Sequence, residues 1–279
     1  MKKVMRIEPK RGFMQMAEGI VYKQVESWYG GDNRALELNV IRRPGEGPRP
    51  LIIWLTGGAW SQVSKDVHVP EVVYLVEAGF TVATVEYRTS EAAIFPAQIE
   101  DVKAAIRYLR AIAARWSIDP AHVGIMGESA GGHLAALAGT TGCTREFDVG
   151  DNLDQSSSVQ AVVDWYGPAD FTCFAVNAGS PTSPEARLIG CRPVDNRAMA
   201  EKVSPVSYVS DKTPPFLIIH GTEDALVPFS QSEILHDVIN NAGGQADLIA
   251  IEQANHGDIR FVSPEIRTEI LQFFQAHLG

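Results

Sequence analysis

The chain has 279 residues, of which 45% are hydrophobic and 21% charged, and this composition excludes a disordered or fibrous protein. No stretch approaches the ~18 consecutive apolar residues of a membrane span, so we predict no transmembrane segment and expect no membrane partner. The formal net charge of −10 argues against nucleic acid and anionic membrane surfaces. Because α/β architectures often reach ~250 residues as one unit, we expect a single domain over 1–279.

Cysteine use and the N-terminal segment indicate a reducing compartment. The first residues are basic but do not lead into an apolar stretch, so we identify no secretory signal and expect a cytoplasmic protein. Cys143, Cys173 and Cys191 lack the spacing of metal ligands. We expect free thiols, while the spacing leaves a bridge between Cys173 and Cys191 open.

Short β-branched runs alternate with longer helical patterns along the chain. In chain order, strands are predicted at 20–26, 36–42, 51–55, 80–87, 123–126, 159–165, 216–220 and 247–252. Helices are predicted at 98–116, 129–140, 231–241 and 264–277. This alternation predicts an α/β fold with a mostly parallel central sheet of about eight strands and helices on both faces. The first two strands, separated by a Gly-rich turn at 30–33, are expected to be antiparallel.

One stretch, 168–215, interrupts the alternation. It is rich in Pro, Ser and charged residues and contains no clear strand. We interpret it as a cap-like or pocket-shaping insertion over the C-terminal edge of the sheet, where loops form binding sites. A plain surface insertion fits the same composition.

A Gly-Glu-Ser-Ala-Gly sequence at 127–131 fits the G-x-S-x-G pattern of a nucleophile elbow. An apolar strand precedes it and an Ala- and Leu-rich helix follows it, which is the strand–turn–helix context that the elbow requires. The flanking glycines allow the tight turn that exposes the Ser129 hydroxyl. The same turn directs the N–H of Ala130 towards developing negative charge.

A serine hydroxyl needs a neighbouring base, and His256 is the best of seven histidines for that role. It lies in a loop between the last predicted strand and the last helix, at the sheet edge where the elbow lies. The carboxylate that orients the base should come between serine and histidine in the chain. Asp224 and Asp170 both satisfy this order, and we favour Asp224 because its loop follows the strand nearest the histidine loop.

The Thr-Gly-Gly-Ala-Trp sequence at 56–60 follows the third predicted strand. Glycines allow the backbone to approach a substrate carbonyl, so Gly58 and Ala59 are expected to join Ala130 as oxyanion donors. Read alone, the same residues also fit an ordinary turn.

From Pro50 onward the sequence resembles an α/β-hydrolase. The elbow at 127–132 resembles that of hormone-sensitive-lipase-like esterases. Phe-Pro-Ala-Gln at 95–98, Tyr-Gly-Pro-Ala-Asp at 166–170 and His-Gly-Thr-Glu-Asp at 220–224 resemble the BD-FAE group of acetyl xylan and feruloyl esterases more closely. The resemblance implies an α/β-hydrolase fold and a triad of Ser129, Asp224 and His256. The family's oxyanion loop usually begins with His, whereas Thr56 stands here, and we expect Thr56 to tune the loop.

These residues predict a serine esterase that acts on short-chain acyl or feruloyl esters, with sugars as the expected alcohols and an oligosaccharide or small molecule as partner. Acyl transfer of this kind requires no metal or organic cofactor. An arylformamidase uses the same kind of catalytic triad and has a similar oxyanion loop, so it is the alternative enzyme. A non-catalytic binding protein on a hydrolase scaffold is the alternative from another class, although such proteins commonly lose a triad residue.

Aromatic residues beside the predicted site loops could stack on a sugar ring or a phenolic acyl group. Trp60, Trp165 and Tyr166 are the candidates for substrate binding, and Trp60 follows the oxyanion loop directly. For any single one of them, ordinary packing of the strand ends is the favoured explanation.

Overall fold

The computed structural model describes residues 1–8, 12–27, 30–45, 47–174 and 179–279. Eight strands form one sheet in the order β1-β2-β4-β3-β5-β6-β7-β8. The strands are β1 (Gln15–Glu26), β2 (Asn33–Arg42), β3 (Arg49–Leu55), β4 (Thr81–Val85), β5 (Ile118–Glu128), β6 (Ala161–Trp165), β7 (Phe216–Gly221) and β8 (Ala246–Ile251). β1 pairs with β2 and β2 with β4 in antiparallel fashion, and every later pair is parallel. The predicted mostly parallel sheet is therefore confirmed.

Eight α-helices accompany the sheet within the described residues. They are α1 (Val69–Glu77), α2 (Ala97–Ala111), α3 (Ala113–Trp116), α4 (Ala130–Thr140), α5 (Pro184–Ile189), α6 (Arg197–Val203), α7 (Ser230–Asn241) and α8 (Pro264–Leu278). The helix predicted at 98–116 is interrupted at Ile112, and its short continuation ends at Ser117 in a left-handed conformation. α1 was not predicted from the sequence. Its apolar residues begin directly after a turn-like segment of mixed polar and apolar residues, so the start of the helix was not recognisable.

The core has two layers, one on each face of the sheet, because side chains of a strand point alternately to opposite faces. Leu51, Ile53 and Leu55 of β3 belong to the layer under α2, α4 and α7, whereas Ile52 and Trp54 belong to the layer under α1 and α8. All five side chains are at most 1% exposed. A strand buried on both faces explains why β3 is apolar throughout.

The stretch 168–215 contains α5, α6 and two 3₁₀ turns, and its described part contains no strand. α5 begins at Pro184 after Ser183, whose hydroxyl oxygen accepts the N–H of Ala186. α6 has an equivalent cap at Asn196. These short helices were not predicted, because six or seven residues give too little periodicity to recognise.

The three cysteines carry free thiols, as expected. Among the described residues, no helix has both the length and the apolar character needed to cross a bilayer. The C-terminal ends of β3, β5, β6, β7 and β8 lie side by side at one edge of the sheet. Each of these ends leads directly into a segment that carries predicted site residues.

Candidate active site

Ser129 lies in a strained turn between β5 and α4. Its backbone has φ 51° and ψ −119°, a combination rare for a residue with a side chain. The glycines around it cannot be replaced without collision: a Cβ on Gly131 would lie 2.1 Å from the carbonyl oxygen of Leu55, and one on Gly127 2.4 Å from that of Gly131. The Ser129 N–H donates to the carbonyl of Trp165 at 2.8 Å. β3 and β6 therefore hold the turn from both sides.

His256 lies between Ser129 and Asp224. Its Nε2 is 2.9 Å from Ser129 Oγ, and its Nδ1 is 2.7 Å from Asp224 Oδ2. The carboxylate can only accept, so Nδ1–H is the donor and the neutral ring accepts the serine hydroxyl at Nε2. His256 keeps 14% of its side chain exposed, whereas the side chain of Asp224 is fully buried. The structure thus brings together the three residues predicted for a triad.

Asp224 is held in its charged form. Burial alone would raise its pKa, but hydrogen bonds from His220 and His256 and from the backbone N–H of Val227 lower the pKa below its ordinary value. The N–H groups of Leu226 and Val227 both donate to Oδ1 at 2.8 Å. Asp170, the other carboxylate considered, instead accepts from the N–H and hydroxyl of Thr172.

The loops that carry Asp224 and His256 are tied to each other. The N–H of Glu223 donates to the carbonyl of Ala254 at 3.0 Å, and the N–H of Ala225 donates to the Asn255 side chain at 3.1 Å. A Cβ on Gly221 would lie 2.3 Å from the carbonyl oxygen of Ala254, so only glycine permits this approach. Backbone contacts rather than the triad itself therefore fix the spacing of the two loops.

The segment after β3 approaches the elbow closely. Gly58 has φ +112°, and Ala59 and Trp60 also have positive φ, so three successive residues adopt the left-handed region. Gly58 and Ala59 line the same open cavity of about 380 Å3 as Ser129 and His256. Ala130 is the first residue of α4, so its N–H has no acceptor within the helix. The Gly57 N–H donates to Glu128 Oε1 at 3.3 Å, so this N–H is already engaged.

Thr56, which stands where the BD-FAE pattern has histidine, turns its side chain into the protein. Its hydroxyl donates to the carbonyl of Ser64 at 2.9 Å, while the hydroxyl of Tyr87 donates to the Thr56 carbonyl at 2.7 Å. Both bonds anchor the start of the segment 56–60 to its surroundings.

Comparison with known proteins identifies the family of this chain. The BD-FAE family model matches residues 40–239. The chain belongs to the BD-FAE family. A truncated carbohydrate esterase from gut microbiota has the same fold at a TM-score of 0.86 and 32% identity, covering 96% of this chain and 98% of that one. Propionate-bound esterase Est2 of Thermogutta terrifontis gives a TM-score of 0.76 and 25% identity, covering 94% of each chain.

Curated relatives of this BD-FAE chain are named esterases. Esterase LipQ of Mycobacterium tuberculosis is 35% identical over 77% of this chain. LipM of the same organism, named a probable carboxylic ester hydrolase, is 33% identical over 78% of this chain. The chain spans about half the length of these relatives, 52% of each.

A second, more closed cavity of about 120 Å3 also contacts Ser129 and His256 in this BD-FAE chain. Trp60 and Ala59 form one wall, and Pro168, Phe174, Pro184 and Glu185 of the 168–215 stretch form another. Trp60 is only 3% exposed and donates its indole N–H to Nδ1 of His133 at 3.2 Å. Its ring is thus fixed before any substrate arrives.

The other two aromatic candidates have different surroundings. Tyr166 packs edge-on against His256, with ring centroids 4.6 Å apart, and donates its hydroxyl to Glu128 Oε2 at 2.9 Å. Trp165 lines a separate cavity of about 140 Å3 on the face of the sheet that α1 covers, together with Trp54. Tyr166 therefore contacts His256 and also lines the cavity of about 380 Å3 beside Ser129.

The contacts of Glu128, the residue before Ser129, were not predicted from the sequence. Its Oε1 forms an ion pair with His68 at 2.9 Å, and its two oxygens also accept from Gly57 and Tyr166. Burial would raise the pKa of Glu128, but the hydrogen bond from His68 lowers it, and the same bond raises the pKa of His68. One carboxylate thereby links the elbow, the segment 56–60 and the residue that packs on His256. Nothing in the local sequence around His68 reveals a partner 60 residues later.

Proposed function

We propose that this chain is a serine carboxylic-ester hydrolase that works through Ser129, His256 and Asp224. The observation that carries the proposal is the continuous hydrogen-bond path from Ser129 Oγ through both nitrogens of His256 to Asp224 Oδ2. Named esterases among the relatives support the same reaction class.

In the first step, His256 Nε2 takes the proton of the Ser129 hydroxyl as Oγ attacks the ester carbonyl carbon. The carbonyl π electrons move to oxygen, and the backbone N–H groups of Gly58, Ala59 and Ala130 stabilise the resulting oxyanion. Each such donor is typically worth about 3 kcal/mol in the transition state. Asp224 keeps Nδ1 protonated and stabilises the imidazolium without taking its proton.

In the second step, the oxyanion collapses, the bond to the alcohol oxygen breaks, and imidazolium Nε2–H protonates that oxygen. The acyl group remains on Ser129 Oγ as an ester. His256 then takes a proton from water, whose oxygen attacks the acyl carbon and releases the acid. The proton returns to Oγ, so the enzyme is regenerated.

The two cavities that contact Ser129 and His256 support a short group on one side of the ester, because the less open one measures only about 120 Å3. The larger and more open cavity, about 380 Å3, suits a bulkier group such as a sugar or a feruloyl moiety. We further propose a single α/β-hydrolase domain in which the 168–215 stretch closes the smaller cavity. The position of Pro168, Phe174 and Pro184 in its wall supports that role.

A hydrolysis panel tests the proposed substrate class. It contains 4-nitrophenyl acetate, butyrate and octanoate, methyl ferulate, acetylated xylo-oligosaccharide and N-formylkynurenine. We expect turnover of acetylated sugar or ferulate, and acetate or butyrate preferred over octanoate. Preference for N-formylkynurenine would replace the ester assignment with an arylformamidase, and turnover of none would contradict both.

A further inference from the structure

The smaller cavity contains one ionisable residue that the proposed mechanism does not use. Glu185 lies in the first turn of α5, lines the cavity beside Ser129 and His256, and is 9% exposed. Its Oε2 is buried and has no hydrogen-bond partner among the described residues.

This arrangement is costly for the protein. The neighbouring walls are largely apolar, formed by Trp60, Phe174, Leu226 and Val227 together with two prolines. A buried acceptor without a donor lowers stability, and more so when it is charged. Glu185 is not needed to cap α5 either, because Ser183 already accepts the N–H of Ala186 at 3.2 Å.

We propose that Glu185 accepts a hydrogen bond from a hydroxyl group on the part of the ester that enters this cavity. The inference rests on the proposed esterase function and adds a substrate class to it, namely esters with a hydroxyl near the carbonyl. A hydroxyl is favoured over an ammonium group because it satisfies the carboxylate at a smaller desolvation cost. The donor chemistry is the same whether the hydroxyl belongs to the acyl or the alcohol side.

Matched esters separate these possibilities. On the acyl side, 4-nitrophenyl propionate, lactate and alaninate differ only in a hydrogen, hydroxyl or ammonium group at carbon 2. On the alcohol side, ethyl acetate and 2-hydroxyethyl acetate differ by one hydroxyl. The measured quantity is the ratio of kcat/KM between the hydroxylated ester and its counterpart that lacks the hydroxyl.

Glu185→Gln and Glu185→Leu are compared with wild type and with Glu201→Gln. Glu201 is an exposed glutamate of α6 in the same stretch, paired only with Arg197 in the described structure, so its substitution is the matched control. We expect Glu185→Leu to lower the ratio for one of the two pairs roughly 10-fold or more, because a hydrogen bond to a charged group is lost. Glu185→Gln should lower it less, and Glu201→Gln should leave it unchanged.

Two outcomes would overturn the inference. The first is a ratio that stays the same for both pairs in Glu185→Leu; if kcat/KM falls equally with and without the hydroxyl, Glu185 has a structural role. The second is a change confined to the alaninate, which assigns the site to ammonium groups. Failure of wild type to hydrolyse any of the five esters would instead contradict the proposed function.

Discussion

His220 donates its Nε2–H to Asp224 Oδ2 at 3.2 Å, so the oxygen that holds His256 also receives a second imidazole. The orientation of His220 is fixed, because its Nε2–H also faces the carbonyl of Val227 while its Nδ1 accepts the hydroxyl of Ser232 at 2.6 Å. This fully buried histidine therefore positions Asp224 without contacting Ser129.

Replacement of His220 tests this positioning role. His220→Gln should reduce kcat on 4-nitrophenyl acetate roughly 10-fold with little change in KM, because one hydrogen bond that holds the charged carboxylate is lost. His236→Gln, on the accessible side of α7, is the control and should retain activity. An unchanged kcat for His220→Gln in a folded protein would assign His220 a purely structural role.

Asp224→Asn separates the two carboxylates that the sequence left as candidates. Asn can no longer fix the imidazole tautomer, so kcat should fall by about 1,000- to 10,000-fold. Asp170→Asn is the matched control, and we expect near-wild-type turnover because Asp170 contacts Thr172. The reverse pattern would show that Asp170 orients the base.

Stability should depend on pH through His133. Burial lowers the pKa of His133 to about 4 from its ordinary 6.5, and the hydrogen bond to the Val203 carbonyl only partly opposes this. Between those values the unfolded chain binds a proton that the native protein does not, so native stability is lost as pH falls from 6.5 to 4. The difference between these two pKa values corresponds to roughly 3 kcal/mol in the free energy of unfolding.

Urea unfolding of wild type and His133→Phe from pH 7.5 to 4.5 measures this contribution. The advantage of wild type in unfolding free energy should shrink as the pH falls. The comparison cancels the opposite contribution of Asp164, whose pKa burial raises to about 6. A constant difference across this range would mean that His133 does not titrate differently in the two states.

The elbow should not tolerate a methyl group at Gly131. Gly131→Ala would place Cβ 2.1 Å from the Leu55 carbonyl, so either the turn or β3 must shift. We expect a Tm lower by roughly 5 °C or more, since each 1 kcal/mol corresponds to about 2–4 °C at this size. Gly12→Ala is the control: its Cβ would lie 3.8 Å from its nearest atom, the carbonyl oxygen of Pro44, so the Tm should not change.

Local patterns in the sequence were sufficient to predict the strands, the elbow and the candidate Ser, His and Asp. Each lies in a segment whose own residues carry the signal, such as the glycines around Ser129 or the apolar run of β3. The contacts of Glu128 with His68 and of Trp60 with His133 were not predicted, because they join residues 60 and 73 positions apart. Trp60 was expected to be a stacking residue, yet its buried ring is fixed by His133 and forms a cavity wall.

The most direct test of the account compares wild type and Ser129→Ala with a fluorophosphonate probe and with 4-nitrophenyl acetate. Intact-mass analysis should show one probe on wild type, mapped to Ser129, and none on the variant. The variant should lose at least roughly 1,000-fold in kcat while its Tm stays near wild type. Labelling of Ser129→Ala, or ester turnover close to wild type in that variant, would contradict Ser129 as the nucleophile.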